Sequence, residues 1–466
     1  MAMREWLDRY PFLVRVMLVA VALFLVFLPL PFGSVVPWSH AVIQVTAFLL
    51  LAVAAVLAPS VAEIRPAILP AACLAAVGLV AAIQGSTVPA TIVRNLSPEH
   101  ARLQAGAAAV ARGSGLERAV PSTLSLNPTA SHAAALMFLA VAASLLAAAA
   151  LSAQRKDRRL LAWALVASGL FQVLLGASNL RRSPTAIWGI QVPNDPLRLR
   201  GSFVNPDHMA LYLELVLPVV FAWGWWAVRR AGFDPRIDRR VAFIAPPVMA
   251  WLTLFVGLAF TGSRAALVAA CTGAALQGLL LAIRRRRWRR GVAGVVAALV
   301  GIGAVAFIGL QQGLGRWLGT SQYELTWSDR LDVYRHALAL WQRFPLTGTG
   351  LATFRDAFTL VAPHELSQNW YWHAHNDWLE VLVTTGVIGA ALVLIGLVAA
   401  VRGLVPVLRK GERSEDRAAA LAALGALASV AVHSCFDFGL TMPANSVTLA
   451  IIVGAALVAP RTEGQT

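Results

Sequence analysis

The feature that most constrains this chain is a series of apolar runs, each long enough to cross roughly 30 Å of hydrocarbon. A basic segment, Met1 to Arg15, leads into the first run, which reaches Leu30. Further runs cover 41–58, 67–84, 132–151, 160–177, 208–228, 241–260, 265–283, 291–311, 377–401, 417–435 and 444–460, which makes twelve. Backbone N–H and C=O groups that cannot reach water must pair within their own segment, so such runs fold as helices. The expected fold class is an all-α polytopic membrane protein with about twelve transmembrane helices. Composition agrees, because 58% of residues are hydrophobic and only 13% charged, more apolar material than a soluble domain can bury. A cleaved signal peptide is the competing reading of the first run, but the run is too long and lacks a small-x-small cleavage site.

The net charge of +16 would point to nucleic acid in a soluble protein. Here the basic residues form short clusters between apolar runs, such as Arg284-Arg285-Arg286-Arg287-Trp288-Arg289-Arg290, which is the pattern of topology signals. With a cytoplasmic N-terminus, most of the 39 Lys and Arg fall in the inside segments 1–15, 59–66, 152–159, 229–240, 284–290, 402–417 and 461–466. Both termini are therefore expected in the cytoplasm, and nucleic acid is not an expected partner. Cys73, Cys271 and Cys435 lie in or at the end of apolar runs without metal or disulfide spacing. The organisation expected is a bundle of nine spans over 1–311, a long outside loop with amphipathic helices over 312–376, and spans ten to twelve over 377–466.

Three outside segments are long. Residues 85–131 read as a helical or irregular cap. Residues 178–207 end in Arg200-Gly201-Ser202-Phe203-Val204-Asn205-Pro206-Asp207-His208, where Gly and Pro indicate a structured turn entering a span. In the third, Ser328 to Phe344 is amphipathic, with Leu331, Tyr334, Leu338 and Trp341 at helical spacing. Thr326 and Asp329 have capping-box spacing, Pro345 and Gly348 end the segment, and such a helix suits a membrane surface.

The polar residues with chemical capacity collect on the outside face. Arg264, in Thr261-Gly262-Ser263-Arg264, sits between two apolar runs, where a guanidinium is costly unless it snorkels to headgroups or faces a functional cavity. Arg200 and Arg335 are ordinary loop arginines taken singly. Together the three form a candidate clamp for an anionic ligand, since guanidinium recognises phosphate through two parallel hydrogen bonds and needs no metal. The second cluster is Trp372-His373-Ala374-His375-Asn376-Asp377-Trp378-Leu379-Glu380. His373 and His375 with Asp377 have the alternation of a metal site but lack a fourth ligand at an obvious spacing. A structural histidine at the interface and a general base titrating near neutral pH are the other readings. Asp377 or Glu380 would orient the imidazole or serve as first-turn acids.

These residues carry a resemblance. Arg200-Gly201-Ser202-Phe203 with Asn205, Thr261-Gly262-Ser263-Arg264, the segment from Arg335 through Trp341, Pro345 and Gly348-Thr349-Gly350 to Phe354, and His375-Asn376 with Leu379-Glu380, Gly386 and Gly389 are together similar to the O-antigen ligase and polymerase superfamily. The likeness covers roughly 200–390. It implies a glycosyltransferase of the bacterial inner membrane that moves a glycan from an undecaprenyl pyrophosphate carrier on the periplasmic face, without metal or other cofactor. The favoured acceptor is a sugar hydroxyl of lipid A-core, as in lipopolysaccharide biosynthesis. Polymerisation of the repeat and transfer to protein hydroxyls are the alternatives within the family, and a transporter of lipid-linked glycans the alternative outside it. By the resemblance, Arg200 and Arg264 match arginines for the carrier pyrophosphate and His375 matches the essential histidine, with His373 its near neighbour. Arg335, Asn205, Ser263, Asn376 and Glu380 complete the candidate donor site, and Asp377 the candidate catalytic set.

Overall fold

The computed structural model describes residues 11–57, 61–115, 120–152, 155–192, 198–232, 234–284, 327–363, 371–411 and 414–458. These form helices α1 (Pro11–Phe27), α2 (Pro37–Leu57), α3 (Val61–Gly85), α4 (Ala90–Leu96), α5 (Pro98–Gly113), α6 (Pro128–Leu151), α7 (Arg155–Arg182), α8 (Pro206–Ala231), α9 (Ile237–Phe260) and α10 (Arg264–Arg284). After them come α11 (Trp327–Arg343), α12 (Phe354–Phe358), α13 (Asp377–Lys410), α14 (Ser414–His433) and α15 (Pro443–Ala456). Among the described residues nine helices are long and apolar enough to cross a membrane, and two more, Arg15–Phe27 and Pro443–Ala456, are apolar but shorter. The protein is thus an all-α polytopic membrane protein. The expected span at 291–311 and Thr326 of the expected cap lie outside the described residues.

The chain divides into two compact units. The first comprises Met1–Leu69, Ala143–Glu324 and Ala399–Thr466, the second Pro70–Ala142 and Leu325–Val398. In the first, α8 is central, packed by α7, α9, α10, α14 and α15. Its sequence explains its start and its depth. Pro206 occupies the first turn, where a missing N–H costs nothing, and Asn205 caps it by accepting from Asp207 N at 2.9 Å. From Pro206 to Val220 only Asp207 escapes burial. Gln277 of α10 donates to the carbonyls of Pro218 and Leu421 at 3.0 Å, tying α10 to α8 and α14. A two-residue hairpin, Ala186–Ile187 paired with Ile190–Gln191, precedes α8. Its turn residues Trp188 and Gly189 both have positive φ, 53° and 79°, as a tight hairpin turn matching strand twist requires.

In the second unit the segment 85–131 is largely helical, as α4 and α5. The core joins Val333, Ala337 and Leu340 of α11, with Phe344 just after it, to Phe354 and Phe358 of α12, and to Tyr371, Ala374, Leu379 and Val383 around the start of α13. Each large side chain so buried contributes about 1.5–3 kcal/mol. The leucines of the expected amphipathic stripe, Leu331 and Leu338, are 37% and 44% exposed, on a face of α11 other than the one in this core. The sequence offers two apolar stripes on this helix, and packing took the one containing the small Ala337, which lets α11 approach its neighbours closely.

Candidate functional site

In the first unit the turn 198–205 is held from below and from the side. Gln172 Oε1 accepts from Ser202 N at 2.8 Å and from Ser202 Oγ at 2.9 Å. Gly201 has φ 54°, and a Cβ there would fall 2.4 Å from Gln172 Oε1, so glycine is required on both counts. Arg198 Nε donates to Thr261 O at 2.6 Å and its Nη2 meets Asp207 Oδ1 at 2.6 Å, joining the turn to the ends of α9 and α8. Gly262 turns the chain with φ 71° beside the Arg198 side chain, and Ser263 Oγ accepts from Ala266 N at 3.4 Å at the start of α10.

Besides Arg198, two guanidiniums occupy this rim in different settings. Arg200 is 2% exposed; its Nη2 donates to Pro184 O, while its Nη1 is buried without a hydrogen-bond partner among the described residues. Burial pushes the Arg200 guanidinium below the usual arginine range, yet arginine stays cationic at neutral pH. A buried cation with an unused donor is costly, and a bound anion would remove that cost. Arg264 is exposed as the first residue of α10, where its charge adds to the positive end of the helix rather than opposing it. A helix N-terminus already favours phosphate, and an arginine there strengthens the preference.

In the second unit the 373–380 turn is fixed atom by atom. Ala374 is fully buried in the core, with the half-buried His373 and His375 flanking it. Glu380, 8% exposed, directs Oε1 to His373 Nδ1 at 2.8 Å and accepts from Ala374 N on Oε2 at 2.9 Å. Asn376 caps α13, its Oδ1 accepting from Leu379 N at 3.0 Å, and Asp377 is buried at the first helical position. His375, between these anchors, has φ 51°, a left-handed conformation unusual for a residue with a side chain. Its carbonyl accepts from Tyr334 Oη of α11 at 2.8 Å. Arg335 is exposed and paired with Asp332 at 3.1 Å.

Behind this turn the backbone of 345–350 pairs with α13. Val387 N donates to Pro345 O, Thr349 N to Val383 O and Gly350 N to Thr384 O, each at 3.0 Å. α13 breaks its helical geometry at Gly386, φ 65°, where a Cβ would lie 2.2 Å from Leu346 O. Gln84, 2% exposed at the end of α3, donates to Thr347 O and Thr384 O and accepts from Leu351 N, so its amide is fully used in stitching the break. The packing thus brings Arg200, Asn205, Ser263 and Arg264 into the first unit. Arg335, His373, His375, Asn376, Asp377 and Glu380 fall in the second. Sequence reasoning did not assign Gln84, Gln172, Arg198 or Tyr334; a lone amide in an apolar run was the signal for the two glutamines.

Residues 248–394, about a third of the chain, match the family model described as O-antigen ligase. This part of the chain is similar to the O-antigen ligase family. The O-antigen ligase match takes in Ser263, Arg264, Arg335 and the whole 373–380 turn, and begins after Arg200 and Asn205. A search of curated proteins with the chain finds no match. The superfamily comprises membrane ligases and polymerases of glycosyltransferase type, acting in general on a lipid-linked glycan and a lipid acceptor.

Proposed function

We propose that this protein transfers a glycan from undecaprenyl pyrophosphate to a sugar hydroxyl of lipid A-core on the periplasmic face of the inner membrane. The observation that carries the reading is Arg200, a buried guanidinium with one donor unused, on the same rim as the exposed Arg264 at a helix N-terminus. Such a rim suits a diphosphate at headgroup level whose polyprenyl tail stays in hydrocarbon. As the bond between the anomeric carbon and phosphate oxygen breaks, charge grows on the leaving diphosphate, and preorganised guanidiniums stabilise that charge. His375 accepts the proton of the attacking hydroxyl while the new glycosidic bond forms, and the carrier leaves as the diphosphate. One displacement inverts the anomeric centre. Glu380 is engaged with His373 and Ala374 N, which supports a role in setting the turn rather than in attacking the sugar.

The test is reconstitution of purified protein with a lipid-pyrophosphate glycan and rough lipopolysaccharide, with and without chelator. Glycosylated lipid A-core made equally in both supports metal-independent ligation. Lengthened carrier-linked glycan would instead identify a polymerase, and no covalent product with glycan crossing the bilayer a transporter.

A further inference from the structure

In the first unit three buried ionisable groups that the proposed transfer leaves unused meet in one cluster. Glu214 on α8 and His433, the last residue of α14, are both 0% exposed, and Asp437 is 5% exposed one turn later. His433 Nδ1 lies 2.7 Å from Glu214 Oε1, and Nε2 lies 3.6 Å from Asp437 Oδ2. With a carboxylate on each side, the imidazole is placed to hold protons on both nitrogens. An imidazolium with two carboxylates leaves a net negative charge in an apolar bundle, and one more proton makes the cluster neutral. Ionisable groups within spans are expensive enough to mark sites rather than filler.

The surroundings are rich in acceptors. Glu214 Oε2, Asn445 Oδ1 and Thr448 Oγ1 are buried and have no hydrogen-bond partner among the described residues. Asn445 directs its amide donors to His208 O at 3.1 Å and Gly439 O at 2.9 Å, which fixes the amide. Unmatched buried oxygens take up protons or water. Glu214 stands two turns, about 10 Å, along α8 from Asp207, the partner of Arg198. The ionisable groups at this end of α8 and the elements packed on it are Asp207, His208 and Tyr212 on α8, Arg198 and Arg200 in the turn before it, Arg264 on α10, and Arg181 and Arg182 on α7. α15 offers only the uncharged Asn445, Ser446 and Thr448.

We propose that Glu214, His433 and Asp437 form a proton-binding site within the bundle, and that its occupancy rises when a diphosphate docks at Arg200 and Arg264. The linkage rests on the reading of that rim given above; the proton site itself does not. Anionic charge arriving on the rim favours the neutral cluster over the negative one, so binding draws in a proton, and the proton is released as the diphosphate leaves.

Infrared spectroscopy of the full-length protein in nanodiscs decides the first part. A deuterium-sensitive protonated-carboxyl band is expected near neutral pH, reduced in Glu214→Gln and lost in Glu214→Gln with Asp437→Asn. A wild-type band that both variants leave unchanged, or no such band, overturns the site. Glu214→Gln keeps the side chain's size and its acceptor toward His433, so the fold is retained. Calorimetry with farnesyl diphosphate in buffers of different ionisation heat decides the second part: Glu214→Gln takes up fewer protons per ligand than wild type, by the fraction of the site left empty before binding. Equal uptake overturns the linkage. Failure of wild type to bind farnesyl diphosphate overturns it together with the reading of the rim, and the infrared band then still decides the proton site.

Discussion

Tyr334→Phe removes a single hydroxyl and tests whether the left-handed conformation of His375 matters to transfer. In the native turn the His375 carbonyl receives the Tyr334 hydroxyl at 2.8 Å, and the flanking anchors are Glu380 on the N-terminal side and the Asn376 cap on the C-terminal side. A hydrogen bond of this kind contributes about 1 kcal/mol net, and leaving the carbonyl unsatisfied costs up to about 3 kcal/mol. Holding a non-glycine residue left-handed costs about 1–2 kcal/mol. The two quantities are comparable, so without the hydroxyl the native conformer loses its advantage over relaxed alternatives. A shift of about 1.4 kcal/mol lowers the ratio of the native conformer to its alternatives about tenfold, and kcat falls by up to about tenfold. Donor KM stays unchanged, because the rim arginines are untouched. The assay is steady-state transfer in proteoliposomes, with donor concentration varied. Full kcat in Tyr334→Phe, or a loss confined to donor KM, would refute the argument that this contact positions the base.

Arg264→Lys keeps the charge and loses the planar fork, so kcat/KM for the donor falls about tenfold; full activity would count against two-pronged phosphate binding. Asp207→Asn leaves the nearly buried Arg198 without its carboxylate and lowers stability by about 3 kcal/mol, read from thermal unfolding in detergent. Gly386→Ala forces a Cβ into the Leu346 carbonyl at a positive φ, and is expected to lower the melting temperature more than Gly389→Ala, whose Cβ meets only the Thr385 side chain. In the second unit, burial lowers the pKa of His100 to about 4, with its ring against Phe344. The unfolded chain therefore binds the proton first, and stability is full above about pH 6.5 and falls by about 3 kcal/mol as pH drops toward 4. His100→Gln should flatten that part of the pH profile.

Hydropathy makes the spans legible because twenty apolar residues in a row have few other uses, and the glycine-rich turns are legible because their backbone angles exclude most residues. What packing decides is less visible. Nothing local distinguishes Arg198, locked between Thr261 and Asp207, from the exposed arginines of the other loops; only the fold shows which one loses water. His433 and Asp437 close an apolar run, where averaging over a window hides them. Gln84 and Gln172 read as tolerated polar residues in helices until the backbone they satisfy is in view. The core face of α11 is hard to read for a geometric reason: adjacent faces of one amphipathic helix both offer leucines, and the alanine that permits close approach carries little weight in a hydrophobic count.

The main-chain pairing of 345–350 with 383–387 has a consequence for how this segment tolerates change. The bonds run between peptide groups, and Thr347 to Gly350 are buried besides, so side-chain variation is confined to the exposed Pro345 and Leu346, and the close glycines Gly348, Gly350 and Gly386 must remain. Chain length is not free. Adding or deleting one residue would shift every donor past its acceptor and strand several peptide groups at the broken point of α13, away from water. Variation in this stretch should therefore appear as substitution at Pro345 and Leu346 rather than as insertion or deletion.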